Sequence, residues 1–260
     1  MKGAELLAIN KFNSEPTTTG IIPVRHRWVG STLVWIALVS FLVCFSVFIL
    51  VPLDALPLYF VQRYFVLDPT SMLFLLLINT VFLGISVYMY SRLQTSRVLA
   101  ENMLPRAALS LAFMVAMNLG VMSNNLLTLW AFIEVTTLCA VPLVAQGSSN
   151  TPHNVRRVAW HYMLYSSMSL ALTFLGFMCL TRSAHLHGLE INFAFDQLAL
   201  TLPAVGDNWQ RLGLGLMLFG LGGKMGLAPL YGWMPKTYEA APTSTSALLA
   251  AVQFNISVLA

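Results

Sequence analysis

The sequence predicts an all-α protein, a polytopic transmembrane helix bundle of about seven spans with one proline-broken helix and a last span cut short at the C-terminus. Hydrophobic residues make up 57% of the chain and charged residues 9%, whereas a soluble domain carries about 25% charged residues. Apolar runs of about 20 residues, the length that crosses a bilayer, alternate with polar connections. We therefore expect a lipid bilayer to be the solvent around most of the chain.

Residues 1–28 form a polar N-terminal segment, and residues 29–260 form the predicted transmembrane domain. The N-terminal segment lacks the short apolar core of a signal peptide, so insertion should depend on the first span. Polar, charged or proline residues separate the apolar runs. The predicted spans are, in chain order, Ser31–Val51, Thr70–Tyr90, Ala107–Met122, Leu126–Ala145, Val158–Leu180, a run from Leu212 and a run from Pro242.

Two prolines interrupt the sixth run. Pro229 and Pro235 lack the backbone N–H that a continuous helix needs, and Gly232 lies between them. Kinks and breaks in helices have such local causes. The sequence therefore predicts a break between Lys224 and Pro242 in an otherwise helical bundle.

The distribution of basic residues predicts the orientation in the membrane. Nine Lys and Arg residues fall in the connections on the side of the N-terminus, and three fall in those on the opposite side. Cytoplasmic loops carry the excess of Lys and Arg. We therefore expect a multi-pass protein of the cell inner (cytoplasmic) membrane, with the N-terminus in the cytoplasm and the polar stretch 183–210 facing outward.

The same composition argues against several classes of function. The net charge of +4 comes from residues in the connections and not from a basic stripe, so no nucleic-acid partner is expected. Cys44, Cys139 and Cys179 are isolated within apolar runs, which predicts no cofactor and no metal site. His185 and His187, in the presumed outer loop, are a weak alternative signal for metal ligation. We expect no redox chemistry in the chain itself.

Glu134 lies in the middle of the fourth span, about 12 Å from its nearer end. A carboxylate at that depth costs about 2.5–3.5 kcal/mol on insertion scales. Such a residue needs a partner, a water-filled cavity or a proton that neutralises it. A place on a proton or ion pathway is the favoured interpretation, and a neutral structural Glu bonded to a neighbouring helix is the alternative.

Lys224 is the basic counterpart in the sixth run. Glycines next to it allow close approach of another backbone, and Pro229 follows five residues later. Broken helices beside an intramembrane charge recur in transporters. A buried lysine takes up and releases protons readily, which favours a role in proton transfer over a lysine that reaches to the interface.

His161 opens the fifth span, and Tyr165 and Ser169 follow it at intervals of four residues on one helix face. Imidazole titrates near neutral pH, so this polar line suits a hydrated proton wire. It suits a hydrogen-bonded seam between helices equally well. Both interpretations stay open at this point.

Two segments resemble the proton-conducting transporter family, which comprises antiporter-like subunits of NADH:quinone oxidoreductase, Mrp antiporters and group 4 membrane-bound hydrogenases. The first, Leu129–Leu138, resembles the carboxylate helix of the family in a form closest to hydrogenase-4 component F. The second covers Lys224–Pro235 and Glu239–Leu249, and it resembles the broken lysine helix and the start of the next helix. The similarity extends loosely over residues 65–260, which matches a truncated first repeat.

The resemblance implies a carboxylate–lysine pair formed by Glu134 and Lys224 on a central water-lined axis. His161 aligns with a lysine position of the family, which extends the axis to Glu–Lys–His. Asn255 aligns with a further lysine position in the next helix and is similar to component F in carrying Asn. Thr137, Asn255, Tyr165 and Ser169 then form the supporting polar path. Tyr165 and Ser169, together with His161, are called the His161 stripe below.

The leading hypothesis is therefore a proton-translocating subunit of a redox-driven complex. Its expected partners are other membrane subunits of a hydrogenase or complex I-like assembly, the lipid bilayer, and protons or Na+ as the moving ion. A cation/proton antiporter or ion-coupled uptake subunit with the same bundle is the first alternative. A non-pumping structural membrane subunit is the second.

Overall fold

The computed structural model describes residues 24–52, 56–61, 63–93, 103–147, 152–188, 193–195, 197–198, 206–227 and 230–253. Long helices dominate these residues. In chain order they are α1 (Val24–Leu50), α2 (Pro69–Leu93), α3 (Met103–Val121), α4 (Leu126–Ala145), α5 (Pro152–Leu186) and α6 (Asn208–Met225), followed by the short helices α7 (Met234–Ala240) and α8 (Thr243–Leu248).

Within the described residues, six helices are long and apolar enough to cross a membrane. They correspond to α1 through α5 and to α6 continued through the bent segment that ends at Ala240. The predicted polytopic helical bundle is confirmed. Large apolar side chains cover the outside of the bundle, most of all on α1, where Trp35 and Ile49 are more than half exposed. Such a surface suits lipid and not water.

Neighbouring helices in the chain pack side by side. The pairs α1–α2, α3–α4, α4–α5 and α5–α6 have the most extensive contacts among the described elements. The turn between α3 and α4 is short because Asn125 caps α4 immediately, with its side-chain oxygen accepting from the backbone N–H groups of Leu127 and Thr128 at 3.0 and 3.3 Å. This cap satisfies donors that the start of a helix leaves free. It fixes where α4, the helix that carries Glu134, begins.

A small β-hairpin, which the sequence analysis did not predict, joins α1 to α2. Strand β1 (Leu58–Phe60) pairs antiparallel with β2 (Phe65–Leu67). The hairpin extends onto the α3–α4 turn, where Val66 N donates to Met122 O at 2.7 Å. On the other side of that turn, Leu126 N donates to Phe193 O at 2.9 Å. Backbone hydrogen bonds thus join three connections at one end of the bundle.

The sixth span is interrupted as expected, and Gly226 marks where the interruption begins. Gly226 has φ +77°, the left-handed conformation that glycine adopts freely, and it ends α6 right after Met225. Leu227 N returns to the carbonyl of Gly222 at 2.8 Å, which completes the helix stop. Pro229 lies outside the described residues. Pro235 lies in the first turn of α7, where a missing N–H leaves no helical bond unmade.

Candidate functional site

Helix α4 supplies two of the predicted polar residues, the half-buried Glu134 and the buried Thr137, to one polar layer. Glu134 and Thr137 are three residues apart, so they lie on the same face, about one turn from each other. Thr137 is fully buried, and its hydroxyl contacts the carbonyl of Ile133 at 3.1 Å. That bond uses the Thr137 proton and leaves the oxygen as an acceptor for another group.

Helix α6 approaches α5 closely because glycines face it. A Cβ atom on Gly220 would collide with the Ser169 carbonyl and the Thr173 hydroxyl, and one on Gly223 would collide with the Ser169 hydroxyl. Small residues at helix interfaces allow such close backbone contact in membranes. The contact carries Lys224, the next residue, into the space between α4, α5 and α6.

Lys224 is 2% exposed and donates hydrogen bonds to the hydroxyls of Thr137 on α4 and Ser166 on α5. The two hydroxyl oxygens lie 3.3 Å apart, so they form a joint acceptor. An ammonium group has three donors and no acceptor, and the cradle satisfies two of them. The lysine therefore lies among neutral hydroxyl groups, and no carboxylate among the described residues bonds to it directly.

Glu134 lies within electrostatic range of Lys224 but bonds to a different side chain. Its Oε1 accepts from the hydroxyl of Ser167 at 3.0 Å. Its Oε2 is buried and has no hydrogen-bond partner among the described residues. A buried oxygen of this kind costs free energy, which the direct pairing with Lys224 would recover. The structure therefore shows the carboxylate and the lysine in one layer, in a separated arrangement.

Aromatic side chains close the layer on the side of the helix break. The Lys224 Nζ lies 5.6 Å from the centroid of the Tyr162 ring, and that ring contacts the Trp233 ring at 5.2 Å between centroids. The Trp233 indole N–H donates to the Gly223 carbonyl at 3.1 Å, which satisfies a helix-end acceptor. The Tyr162 hydroxyl donates to Gln253 Oε1 at 3.0 Å. Lys224 therefore lies close to a further buried polar pair.

The three residues of the predicted His161 stripe on α5 do not lie in one environment. Ser169 is buried beside Gly223, and its hydroxyl donates to the carbonyl of Tyr165 at 2.8 Å. His161 and Tyr165 are exposed on the outside of the described bundle and do not contact the Lys224 cradle. Asn255 lies outside the described residues. The polar layer thus brings together Glu134, Thr137, Lys224 and Ser169.

Sequence reasoning missed Tyr162 and Ser166, two buried residues of α5 that contact Lys224. Together with the predicted Ser169, and with Thr173 one turn further on, they are buried at intervals of three and four residues, so these residues form the face toward α4 and α6. The signal was present as a second polar stripe about 100° from the His161 stripe. We predicted the His161 stripe as the polar path because imidazole titrates near neutral pH. In the structure it is the second stripe that is buried between the helices.

The loop histidines lie at the far end of α5. His187 Nε2 is 3.7 Å from Asp207 Oδ2, and His185 is exposed. Asp207 caps α6 by accepting from the backbone N–H of Gln210 at 2.8 Å, and it also accepts from the Ser183 hydroxyl at 2.7 Å. The bond from Ser183 is the largest cause that lowers the pKa of Asp207 below its usual value. An acidic cap of α6 therefore faces His187.

A family model described as NADH:quinone oxidoreductase/Mrp antiporter, TM, matches residues 123–260. The chain belongs to this family. The matched region contains the whole layer of Glu134, Ser166 and Lys224. The hydrogenase-4 component F homolog of Methylacidiphilum infernorum is 28% identical over 206 residues, which cover 76% of this chain and 42% of that protein.

Solved structures share the fold. The membrane-bound sulfane sulfur reductase, an archaeal respiratory membrane complex, contains a chain that superposes with a TM-score of 0.73 at 18% identity, covering 88% of this chain and 46% of the other. Respiratory complex I from Thermus thermophilus contains one with a TM-score of 0.69 at 19% identity, covering 90% and 47%. The chain thus spans about half the length of the proteins it matches. It is an antiporter-like membrane subunit by family and fold.

Proposed function

We propose that this chain moves protons across the membrane as part of a redox-driven complex and that Glu134 and Lys224 carry the transfer. The observation that carries the proposal is the position of Lys224, fully buried between three helices, held by hydroxyls and within electrostatic range of an incompletely bonded carboxylate. Intramembrane ionisable residues of this kind are expensive and mark ion pathways. Membership of the family supports the same role.

The chemistry requires two arrangements of the pair. In the closed arrangement, the Glu134 carboxylate would bond to the Lys224 ammonium and hold the proton on the lysine. In the separated arrangement, which the structure resembles, the lysine lies on Thr137 and Ser166 and its proton is free to move on. Tyr162 and Gln253 are the polar groups next to Lys224 on the side of the break.

His161 and Tyr165 stay predicted stops on the path. Their exposure places them at the surface of the described bundle, so a wire that uses them would leave the layer through that face of α5. The helix end at Gly226 supports movement of Lys224, because the lysine lies in the last turn before an interruption. Lys224 is therefore held less rigidly by its own helix than a residue of a central turn.

Membership of the family supports a redox partner and a membrane location. Its relatives include a hydrogenase-4 component F homolog and NADH-quinone oxidoreductase subunits N. We propose other membrane subunits of a hydrogenase or complex I-like assembly as partners, with protons as the moving ion, Na+ as the alternative ion and the inner membrane as the location. The excess of basic residues on one side supports a cytoplasmic N-terminus.

Substitution of the carboxylate tests the proposal directly. The complex, isolated through a tag on this chain, is reconstituted into vesicles, and proton uptake is followed with a pH-sensitive dye. Glu134→Gln keeps the shape and removes the charge, so proton pumping should fall to the level of empty vesicles while the complex still assembles. Thr80→Ala, which removes an exposed hydroxyl bonded to its own helix, is the control. Wild-type pumping in Glu134→Gln would show that this carboxylate is structural.

A further inference from the structure

Two consecutive serines on α5 bond to the two charged residues separately. Ser166 accepts from the Lys224 ammonium, and Ser167 donates to Glu134 Oε1 at 3.0 Å. Adjacent residues of an α-helix point about 100° apart, so one dipeptide reaches two different partners. The contact is specific to charge: an oxygen faces the cation, and a proton faces the anion.

We propose that Ser166 and Ser167 are positioning residues that hold Lys224 and Glu134 apart. This role rests on the proposed function, since it concerns the balance between the closed and the separated pair. Each serine replaces a bond that the other charge would make in the closed pair. The serines therefore stabilise the separated arrangement against direct pairing.

The orphaned carboxylate oxygen supports this role independently. Glu134 Oε2 is buried without a hydrogen-bond partner among the described residues, although Lys224 is within electrostatic range. A carboxylate without restraint would turn toward the cation and satisfy that oxygen. The bond from Ser167 to Oε1 is the restraint that the structure shows. The separated state thus combines a lysine that has two of its three donors bonded with an incompletely satisfied carboxylate, which keeps the closed state close in free energy.

Removal of either serine contact shifts the balance toward the closed pair, but by a different route. Ser167→Ala frees the carboxylate, and Ser166→Ala takes one of two oxygens from the lysine cradle. Both changes favour the closed pair, which retains its proton and slows transfer. Hydrogen bonds to charged groups are strong enough for a shift of about tenfold in the closed-to-separated ratio. We expect a fall of about tenfold in the pumping rate of each variant.

Infrared spectroscopy of the full chain in lipid nanodiscs tests the contact without transport. The band of the Glu134 carboxyl group is assigned by its loss in Glu134→Gln. It should shift in frequency in Ser167→Ala and return to the wild-type position in Ser167→Thr, which restores a hydroxyl. Thr173→Val is the matched control, because it removes a buried hydroxyl of the same helix that bonds to its own backbone. Its spectrum should keep the wild-type Glu134 band.

The pumping assay on the reconstituted complex completes the test. Ser167→Ala and Ser166→Ala should pump slowly, Ser167→Thr should recover, and Thr173→Val should pump at the wild-type rate. A wild-type Glu134 band in Ser167→Ala overturns the proposal, and so does wild-type pumping by Ser167→Ala when Glu134→Gln is inactive. Wild-type pumping by Glu134→Gln overturns the proposed function itself, together with the positioning role that depends on it.

Discussion

Two buried polar clusters lie inside this bundle and differ in charge. The amide cluster joins α1, α2 and α3: Asn79 is fully buried, accepts from Ser40 at 2.7 Å and donates to Asn118 Oδ1 at 3.1 Å. The charged cluster joins α4, α5 and α6 through Glu134, Thr137, Ser166, Ser167 and Lys224, as described above. Both lie among apolar side chains of membrane-spanning helices.

The difference between the clusters lies in how completely their members are bonded. In the amide cluster, neutral groups bond to one another, and Asn79 Nδ2 also reaches the Leu75 carbonyl at 2.8 Å. In the charged cluster, Glu134 Oε2 has no partner among the described residues. A satisfied neutral network fixes one arrangement, whereas an incompletely satisfied charged one leaves two arrangements close in free energy. The first cluster suits stability, and the second suits switching.

Removal of the lysine should have the largest effect on function. Lys224→Ala removes the titratable group, so proton pumping should fall to background in reconstituted vesicles. Lys224→Arg keeps the positive charge but should also fail, since guanidinium does not deprotonate in proteins. Quantification of assembled complex by gel filtration serves as the control. Substantial pumping by Lys224→Arg would mean that charge suffices and that Lys224 transfers no proton.

Substitution of Asn79, the central residue of the amide cluster, should lower stability and leave proton pumping almost unchanged. Asn79→Leu leaves the half-buried Asn118 and Ser40 without their shared partner, at a cost of up to about 1–3 kcal/mol. Thermal unfolding of the detergent-solubilised chain should show the loss as a lower melting temperature. The assembled variant should still pump near the wild-type rate, because the cluster carries no proton in our proposal. A pumping defect that exceeds the loss of folded protein would place the amide cluster on the pathway.

A smaller effect, on stability at acid pH, is expected from substitutions at and near Asp207, an acidic group outside the membrane-spanning segments. Its pKa is lowered chiefly by the Ser183 hydroxyl, so the folded state is stabilised at pH values above the ordinary 3.8, and this contribution is lost as pH falls through the lowered pKa. Ser183→Ala should return the pKa toward its ordinary value. The acid-side loss of stability that Asp207 causes should then become smaller.

Melting temperatures measured across the acid range check this expectation. Asp207→Asn retains a side-chain oxygen for the α6 cap and should flatten the dependence on pH in that window. The change should be smaller than that in Asn79→Leu, because Asp207 lies at a helix end in contact with water. An unchanged acid profile in both Asp207→Asn and Ser183→Ala would show that this cap does not govern acid stability.

Much of the fold and part of the site followed from local patterns. The span of α4 was predicted with the bounds that the structure has, because a long apolar run there follows a short polar segment, and in the structure Asn125 caps the helix at that point. The β-hairpin was missed because its strands are three residues long and depend on contacts with the α3–α4 turn. Glu134 and Lys224 were singled out because a charge in an apolar run is conspicuous. Ser166 and Ser167 were missed because hydroxyl groups are common in such helices.

The sequence by itself determined the membrane-spanning helices, the family and the two charges at depth. Length, apolar composition and rare charged residues are local properties, so they can be recognised in the sequence without knowledge of the packing. The tertiary structure decided which face of α5 meets Lys224: Tyr162 and Ser166 are buried, whereas His161 and Tyr165 are exposed. In a membrane protein the lipid-facing side and the packed side of a helix are both apolar. Hydrophobic periodicity therefore does not mark the inward face, and only contact with neighbouring helices assigns it.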